Sequence, residues 1–181
     1  YEMEVKIFES IKDKDLQEAL WKIYEKAFTH DLEIYPHNQM NYTHEKFLDA
    51  MVDEREVKFV IMDDGKPLGI LIVVDFQHPE CSPWTNFRAF ARKGGSEKFF
   101  YVNTIAIDSE YQRKGLALPL LDQFFNWVIK EKGAEIAGFD APREKGFTVE
   151  IVKAYFSEKG VTVELIGAQN YYLVKKIRKN T

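Results

Sequence analysis

The segment that decides the fold reads FFYVNTIAI at 99–107, DSEYQRKG at 108–115 and LALPLLDQFFNWV at 116–128. Its first part is a run of apolar, aromatic and β-branched residues, which predicts a buried strand. Its second part is polar. In the third part, apolar residues recur every four positions, as on one face of a helix: Leu116, Leu120, Phe124 and Val128. Because a proline is tolerated only in the first turn, Pro119 places the start of this helix near Gly115.

The elements downstream of this segment follow from stop signals and apolar runs. Lys132 and Gly133 form a common C-terminal helix signature, so the helix is expected to end there. A strand, a helix stopped by Gly160 and two further strands come next. Their predicted bounds are 136–139, about 148–159, 161–165 and 171–174.

The clearest upstream feature is a hairpin. Two β-rich runs, Val57–Met62 and Leu68–Phe76, are joined by a turn that contains Asp64 and Gly65. Residues 77–97 are rich in turn formers and are predicted to be an irregular insert. Nearer the N-terminus we expect, in order, a strand at 4–8, a helix that ends at about 28, a loop or short helical turn at 29–42 and a second helix at about 44–53.

The order of these elements indicates the fold class. The chain mixes antiparallel hairpins with strand-helix-strand crossovers, which predicts an α/β (α+β) fold with helices on both faces of a mixed sheet. A length of 181 residues with 45% hydrophobic residues fits one compact domain over 1–181.

Composition narrows the choice of partners and compartment. A net charge of -4 and a pI near 5.7 do not favour nucleic acid, because proteins that bind it usually concentrate positive charge. No apolar run reaches the roughly 20 residues of a membrane span, and the N-terminus lacks the layout of a signal peptide. The single cysteine, Cys81, has no partner for an internal disulfide. We therefore expect a soluble, cytoplasmic protein, and Tyr1 leaves open whether it is part of a longer chain.

The polar turn before the helix at 116–128 has the chemistry of an anion site. Backbone N–H groups at a helix start lack partners, and the helix dipole is positive there. Gly115 lets a phosphate approach the backbone closely, while Arg113 and Lys114 add charge. The alternative is an ordinary strand-turn-helix connection with solvated basic residues.

The same turn resembles the signature Gln/Arg-x-x-Gly-x-Gly/Ala of the GNAT acyltransferase superfamily, matched by Gln112, Gly115 and Ala117. Ile105–Asp108 is similar to the family's fourth strand, and Tyr111 to the aromatic that often precedes the turn. The order of elements also agrees along nearly the whole chain. The resemblance implies a GNAT-like, mostly antiparallel sheet of about seven strands and an acyltransferase that depends on coenzyme A.

The resemblance also implies how acetyl-CoA binds. Its pantetheine arm is expected on the backbone of Ile105, Ala106 and Ile107, where the fourth and fifth strands splay apart. A backbone N–H near Ile107 would stabilise the oxyanion as the amine attacks directly, without a covalent enzyme intermediate. The residues expected to hold the pyrophosphate are Gln112, Arg113, Lys114, Gly115, Leu116 and Ala117.

The acid and the base are the points where the chain departs from the family. Many members carry a Glu on the fourth strand, but the polar residues at 99–107 are Tyr101, Asn103 and Thr104. Asp140, just past the fifth strand, either faces the cleft and attracts or deprotonates an ammonium group, or is an exposed turn residue. The Tyr that often lies four residues before the Gly ending the last helix is Phe156 here, and Tyr155 lies roughly 100° around the helix. Asp140 and Tyr155 are thus the catalytic candidates.

No metal is predicted. Three histidines recur every seven residues: His30, His37 and His44. They would align only on a continuous helix, which Pro36 makes unfavourable. Cys81 lies in the insert with no motif that places a base beside it, so we expect a bystander rather than a nucleophile. His78 either contacts the acceptor or is a loop histidine.

The resulting prediction is an N-acetyltransferase that moves an acetyl group from acetyl-CoA to a primary amine of a small molecule, a peptide terminus or a lysine. The alternative is a non-catalytic module that binds acyl-CoA as a sensor or partner domain, since the Glu is missing and the Tyr is displaced. The sequence fixes no limit on acyl length. The insert at 77–97 is a candidate lid over the acceptor site or a dimer contact, which leaves a homodimer open.

Overall fold

The computed structural model describes residues 3–34, 42–82, 86–95, 98–134, 136–139 and 146–160. These residues form five strands and five α-helices. In chain order they are β1 (Glu4–Phe8), α1 (Lys14–Ile34), α2 (His44–Val52), β2 (Glu56–Asp63), β3 (Lys66–Asp75), α3 (Phe87–Gly94), β4 (Phe99–Ile107), α4 (Ala117–Asn126), β5 (Ile136–Phe139) and α5 (Gly146–Ser157). A 3-10 turn lies at Pro79–Cys81, and a π-helical segment at Trp127–Glu131 continues α4.

The strands form one sheet in the order β1-β2-β3-β4-β5. The first three pairs are antiparallel and the β4–β5 pair is parallel, which confirms the mixed, mostly antiparallel sheet. The described residues contain five strands rather than about seven. The two remaining predicted strands, 161–165 and 171–174, lie outside the described part of the chain.

Helices pack on both faces of this sheet, as predicted. Strand side chains alternate between the faces. Ile70 and Ile72 of β3 pack in the core that α1 and α2 cover, while Leu71 and Val73 pack in the core that α4 covers. The apolar row of α4 lies in that second core, at Leu116, Leu120, Phe124 and Val128. The periodicity of the sequence therefore identified the buried face of α4.

Helix α1 extends past its expected end. The predicted helix ends at about Phe28, but the observed helix continues to Ile34, and the sequence places Leu32 four positions after Phe28. No glycine or proline interrupts residues 29–34, and the first strong helix breaker is Pro36. Helix α2 has the expected bounds to within one residue, and Thr43 caps it by accepting the backbone N–H of Lys46 at 3.4 Å.

The insert at 77–97 was expected to be irregular, but its described part contains the 3-10 turn and α3. Asn86 caps α3 by accepting the N–H of Ala89 at 3.0 Å. Phe90 stacks on Phe99 of β4 with ring centroids 5.3 Å apart, and it lies so close to β5 that a Cβ on Gly138 would approach it to 2.8 Å. Aromatic packing therefore anchors α3 to the β4–β5 pair.

Candidate functional site

A fork in the sheet lies along the second half of β4. Strand β5 pairs with β4 from Phe99 to Val102, while β3 pairs with β4 as far as Ile107. Among the described strands, residues 103–107 therefore have a neighbour on one side only. This is the splay expected between the fourth and fifth strands.

The hydrogen-bond alternation of β4 shows which backbone groups face the open side of the fork. The Asp108 N–H donates to the Leu68 carbonyl of β3 at 2.9 Å. In an antiparallel pair every second residue bonds to its partner strand, so Ala106 also faces β3, whereas Ile105 and Ile107 direct their N–H and C=O groups away from it. Gln112 Nε2 donates to the Ile107 carbonyl at 3.2 Å. The N–H groups of Ile105 and Ile107 therefore face the open side, while the N–H group of Ala106 faces β3.

The turn after β4 exposes backbone donors at the start of α4. Arg113 and Gly115 both have positive φ, at 61° and 80°. Helix α4 begins at Ala117, two residues later than expected, and the side chain of Leu116 provides no cap. Within the described residues, the N–H groups of Gly115, Leu116 and Ala117 have no acceptor. An uncapped start of this kind attracts an anion.

Space and charge around the turn also suit an anion. A Cβ built on Gly115 would meet no described atom within 4 Å. The ammonium of Lys114 lies 4.7 Å from the ring centroid of Tyr111, and that of Lys66 lies 5.5 Å from it. Two cations therefore lie against Tyr111, in the same turn that leads into the start of α4.

Of the two catalytic candidates, Tyr155 and Asp140, the structure describes only Tyr155. The Tyr155 hydroxyl of α5 donates to Asp122 Oδ1 of α4 at 3.2 Å, and Lys159 donates to the same oxygen. The Lys159 hydrogen bond, more than any other cause, holds the pKa of Asp122 below its ordinary value. Tyr155 is therefore held against α4 in this structure. Asp140 lies outside the described residues.

The sequence did not predict a buried polar network beside the fork. The Tyr42 hydroxyl donates to Glu56 Oε2 at 2.5 Å, and Asn103 Nδ2 donates to the Tyr42 oxygen at 2.5 Å. Ser82 Oγ donates to Asn103 Oδ1. Asn103 is the extra residue of a β-bulge, since Ile72 and Val73 pair with Thr104 and Val102. Tyr42, Glu56, Ser82 and Asn103 are all buried.

Burial dominates the electrostatics of this network. It raises the pKa of Glu56, and it raises the pKa of Tyr42 well above the ordinary value. Burial also lowers the pKa of Lys58 to about 8, although its ammonium donates to the carbonyls of Glu9 at 2.9 Å and Asp53 at 2.6 Å. Glu56 and Lys58 lie on the same side of β2, on the face that α1 and α2 cover.

Three possible metal ligands, Asp53, Glu56 and Cys81, have ligand atoms within 4.8 Å of one another. Each already has a competing partner or proton. Arg55 binds both oxygens of Asp53 and lowers the pKa of that carboxyl to about 2. Burial raises the pKa of Cys81 to about 11, so the thiol keeps the proton that a metal would displace. The same high pKa makes Cys81 a poor nucleophile, as a bystander would be.

The histidine predictions rest partly on undescribed residues. His37 and the side chain of His30 lie outside the description, while His44 Nε2 lies 3.1 Å from Glu18 Oε1. His78 lies 3.7 Å from Glu80 and 4.0 Å from Asp75. None of the described helices combines the length and the apolar character of a membrane span.

Comparison with known proteins identifies the class to which this fold and turn belong. The model of the acetyltransferase (GNAT) family matches residues 14–141, which is more than half of the chain. The chain therefore belongs to the GNAT acetyltransferase family, and it is an acetyltransferase. No functionally curated protein matches the sequence significantly.

Solved structures show the same fold at low sequence identity. An aminoglycoside acetyltransferase, meta-AAC0020, from an uncultured soil metagenomic sample in complex with sisomicin is 17% identical, with a TM-score of 0.62 over 96% of this chain and 97% of that one. The AAC(6')-Iy enzyme in complex with the bisubstrate analog CoA-S-monomethyl-acetylneamine is 14% identical, with a TM-score of 0.59 over 95% and 100%. A ribosomal-protein-alanine N-acetyltransferase from Brucella melitensis biovar Abortus 2308 is 12% identical, with a TM-score of 0.54 over 96% and 100%.

Proposed function

We propose that this acetyltransferase moves an acetyl group from acetyl-CoA to a primary amine of a small molecule, by direct attack in a ternary complex. The observation that carries this proposal is the uncapped start of α4, which lies next to the open edge of β4. An anion site and a strand edge that no described strand covers lie side by side, and they fit the two chemically different halves of coenzyme A.

The pyrophosphate half fits the turn. The N–H groups of Gly115, Leu116 and Ala117 supply donors, and Arg113 and Lys114 supply positive charge. Gln112 has a different part in this site: its side chain donates to the Ile107 carbonyl and so holds the turn against β4. This arrangement supports the binding of a diphosphate, with Gly115 leaving the space for it.

The pantetheine half fits the open edge of β4. Its amide groups can pair with Ile105 and Ile107 as an added strand would, because both residues direct backbone groups to the open side. The oxyanion donor is then one of these two N–H groups, and Ala106 contributes packing rather than hydrogen bonds. A preorganised donor of this kind commonly contributes about 3 to 4 kcal/mol to catalysis.

Protonation of the departing thiolate is assigned to Tyr155, oriented by Asp122 and Lys159. Asp140 follows the last residue of β5 directly and is assigned to attract the ammonium group of the acceptor. Both assignments extend the family resemblance to positions where this sequence departs from the usual pattern.

A small cationic amine is the favoured acceptor. Two of the structures with this fold are described as aminoglycoside acetyltransferases, one of them in complex with sisomicin. A peptide terminus is the second candidate, because a ribosomal-protein-alanine N-acetyltransferase shares the fold as well. The chain's net charge of -4 suits a cationic acceptor better than an anionic one.

The test is release of free coenzyme A from acetyl-CoA in the presence of sisomicin, other polyamines and a peptide with an N-terminal alanine. Release that depends on one of these amines supports the proposal, and the preferred amine names the substrate class. Tight binding of acetyl-CoA with no release for any amine would instead favour the non-catalytic module.

A further inference from the structure

A buried chain of hydrogen bonds leads from Glu56 on β2 to the fork of β4. The carboxylate of Glu56 accepts from the hydroxyl of Tyr42, which in turn accepts from the amide of Asn103, both at 2.5 Å. Asn103 is the first residue of β4 beyond the last pair with β5. The chain of hydrogen bonds therefore ends where the sheet opens.

The proposed binding mode places the reacting thioester at this end of the fork. The pyrophosphate lies at the turn beyond Ile107, and an arm that follows the open edge passes Ile107 and then Ile105. Its far end, which carries the thioester, comes to lie near Asn103. A group bonded to Asn103 is thus close to the atoms that react.

We propose that Glu56 receives the proton of the acceptor amine through the hydroxyl of Tyr42. This inference rests on the proposed function. The Tyr42 oxygen uses one lone pair to accept from Asn103, and its second lone pair contacts the amine. Glu56 is the positioning residue that orients the Tyr42 hydroxyl and takes over its proton. The pair replaces the carboxylate that is missing from β4, whose polar residues are Tyr101, Asn103 and Thr104.

The protons of the reaction balance in this scheme. An acceptor ammonium loses two protons as its nitrogen forms a bond to the acetyl carbon and the carbon–sulfur bond breaks. One proton ends on the departing thiolate. The other passes to the Tyr42 oxygen while the Tyr42 proton moves to Glu56, which later returns a proton to solvent. Tyr42 is unchanged at the end.

The surroundings of Glu56 suit a proton acceptor. The ionisable groups that face it are Tyr42 before α2, Asp53 and Arg55 in the turn before β2, Lys58 on the same strand, and Cys81 in the 3-10 turn. Burial outweighs the Tyr42 hydrogen bond and the two cations, so it raises the pKa of Glu56 above the ordinary value of a glutamate. A carboxyl tuned upwards in this way is a better base at neutral pH than an exposed one.

The experiment compares Glu56→Gln with the wild type, using acetyl-CoA and the most active amine of the panel. Glutamine keeps the shape of the side chain and still accepts from Tyr42, but it does not take a proton in this pH range. We expect kcat/KM for the amine to fall roughly 100-fold. The decline of kcat/KM on the acid side of the pH profile should disappear, and the affinity for acetyl-CoA should not change.

Glu54→Gln is the matched control, because it makes the same change two residues away at an exposed position. It should keep the rate and the pH profile of the wild type. Tyr42→Phe is the second variant, and it should lose rate like Glu56→Gln. Thermal unfolding checks that each variant folds.

Three outcomes would overturn the inference. An unchanged rate and acid limb in Glu56→Gln would remove Glu56 and leave the proposed function standing. If Glu56→Gln does not fold, a wild-type rate in Tyr42→Phe would remove the relay in the same way. If the wild type neither binds acetyl-CoA nor releases coenzyme A, the proposed function fails and the inference fails with it.

Discussion

The turn at 108–117 and the buried network around Glu56 are two polar regions that flank the same strand, but they are built in opposite ways. The turn is one contiguous segment whose donors are backbone N–H groups without an acceptor among the described residues. The network joins Tyr42, Glu56, Ser82 and Asn103 from four separate segments, and its members are buried and hydrogen-bonded to one another. The turn can therefore be found in the sequence, whereas the network needs the fold.

The largest effect is expected from breaking the turn. In Gly115→Val, a branched side chain fills the space that the diphosphate needs, at a φ of 80°. We expect acetyl-CoA affinity to fall at least about 100-fold, since most of the phosphate donors become inaccessible. Calorimetry measures the affinity.

Gly95→Val is the matched control for that variant. Gly95 also has positive φ, 72°, and also has no described atom within 4 Å of an added Cβ. Both variants should therefore lose a similar stability, roughly 1 to 2 kcal/mol. Only Gly115→Val should lose binding. Equal affinities for acetyl-CoA would show that the turn does not hold the diphosphate.

A smaller effect is expected at Tyr155. Removing its hydroxyl in Tyr155→Phe should lower kcat about tenfold, because thiolate protonation contributes only part of the barrier. The affinity for acetyl-CoA should stay the same. Asp122→Asn keeps the hydroxyl but weakens its anchor, so it should lower kcat by less. A wild-type kcat in Tyr155→Phe would remove this residue from the mechanism.

The network can be probed through the pH dependence of stability. Lys58 is fully buried with a pKa of about 8, below the ordinary value of about 10.4 that the unfolded chain has. Between these two values the unfolded chain still holds a proton that the folded one has released, so stability from this group rises with pH. In Lys58→Met this contribution is absent.

The stability of the wild type relative to Lys58→Met should therefore increase by up to about 3 kcal/mol between about pH 8 and pH 10.4. Urea unfolding at several pH values measures the difference. Lys66→Met, at the exposed first residue of β3, is the control and should show no such trend. If the difference in stability between the wild type and Lys58→Met stays the same across this pH range, burial does not lower the pKa of Lys58.

The smallest effect is expected at Cys81. Its thiol is half-buried and has a pKa of about 11, so it does not act as a nucleophile at neutral pH. Cys81→Ser should keep kcat/KM within about twofold of the wild type. Complete loss of turnover in a folded Cys81→Ser variant would indicate a covalent intermediate and contradict direct transfer.

The contrast between the two regions also explains what the sequence could and could not predict. The β4-turn-α4 segment, the β2–β3 hairpin and α2 were predicted because their signals are local: an apolar period, an Asp-Gly turn and a Thr cap. Helix α3 was missed because turn formers surround it, and its stabilising contacts are with the ring of Phe99 on β4 and with β5 at Gly138.

Glu56 and Tyr42 were missed for a similar reason. Glu56 opens an apolar strand, where an acidic residue usually marks a solvated end. The sequence did contain one signal. Side chains alternate along a strand, so Glu56 lies on the same inward-facing side of β2 as Val60 and Met62. Tyr42 gave no signal, because its role depends on a partner 14 positions along the chain and another 61 positions along it.

The most direct test of the account is calorimetry of the wild-type protein with acetyl-CoA. We predict saturable binding of one molecule per chain, lost in Gly115→Val and kept in Gly95→Val. A folded wild-type protein that gives no binding signal with acetyl-CoA or free coenzyme A would contradict the account.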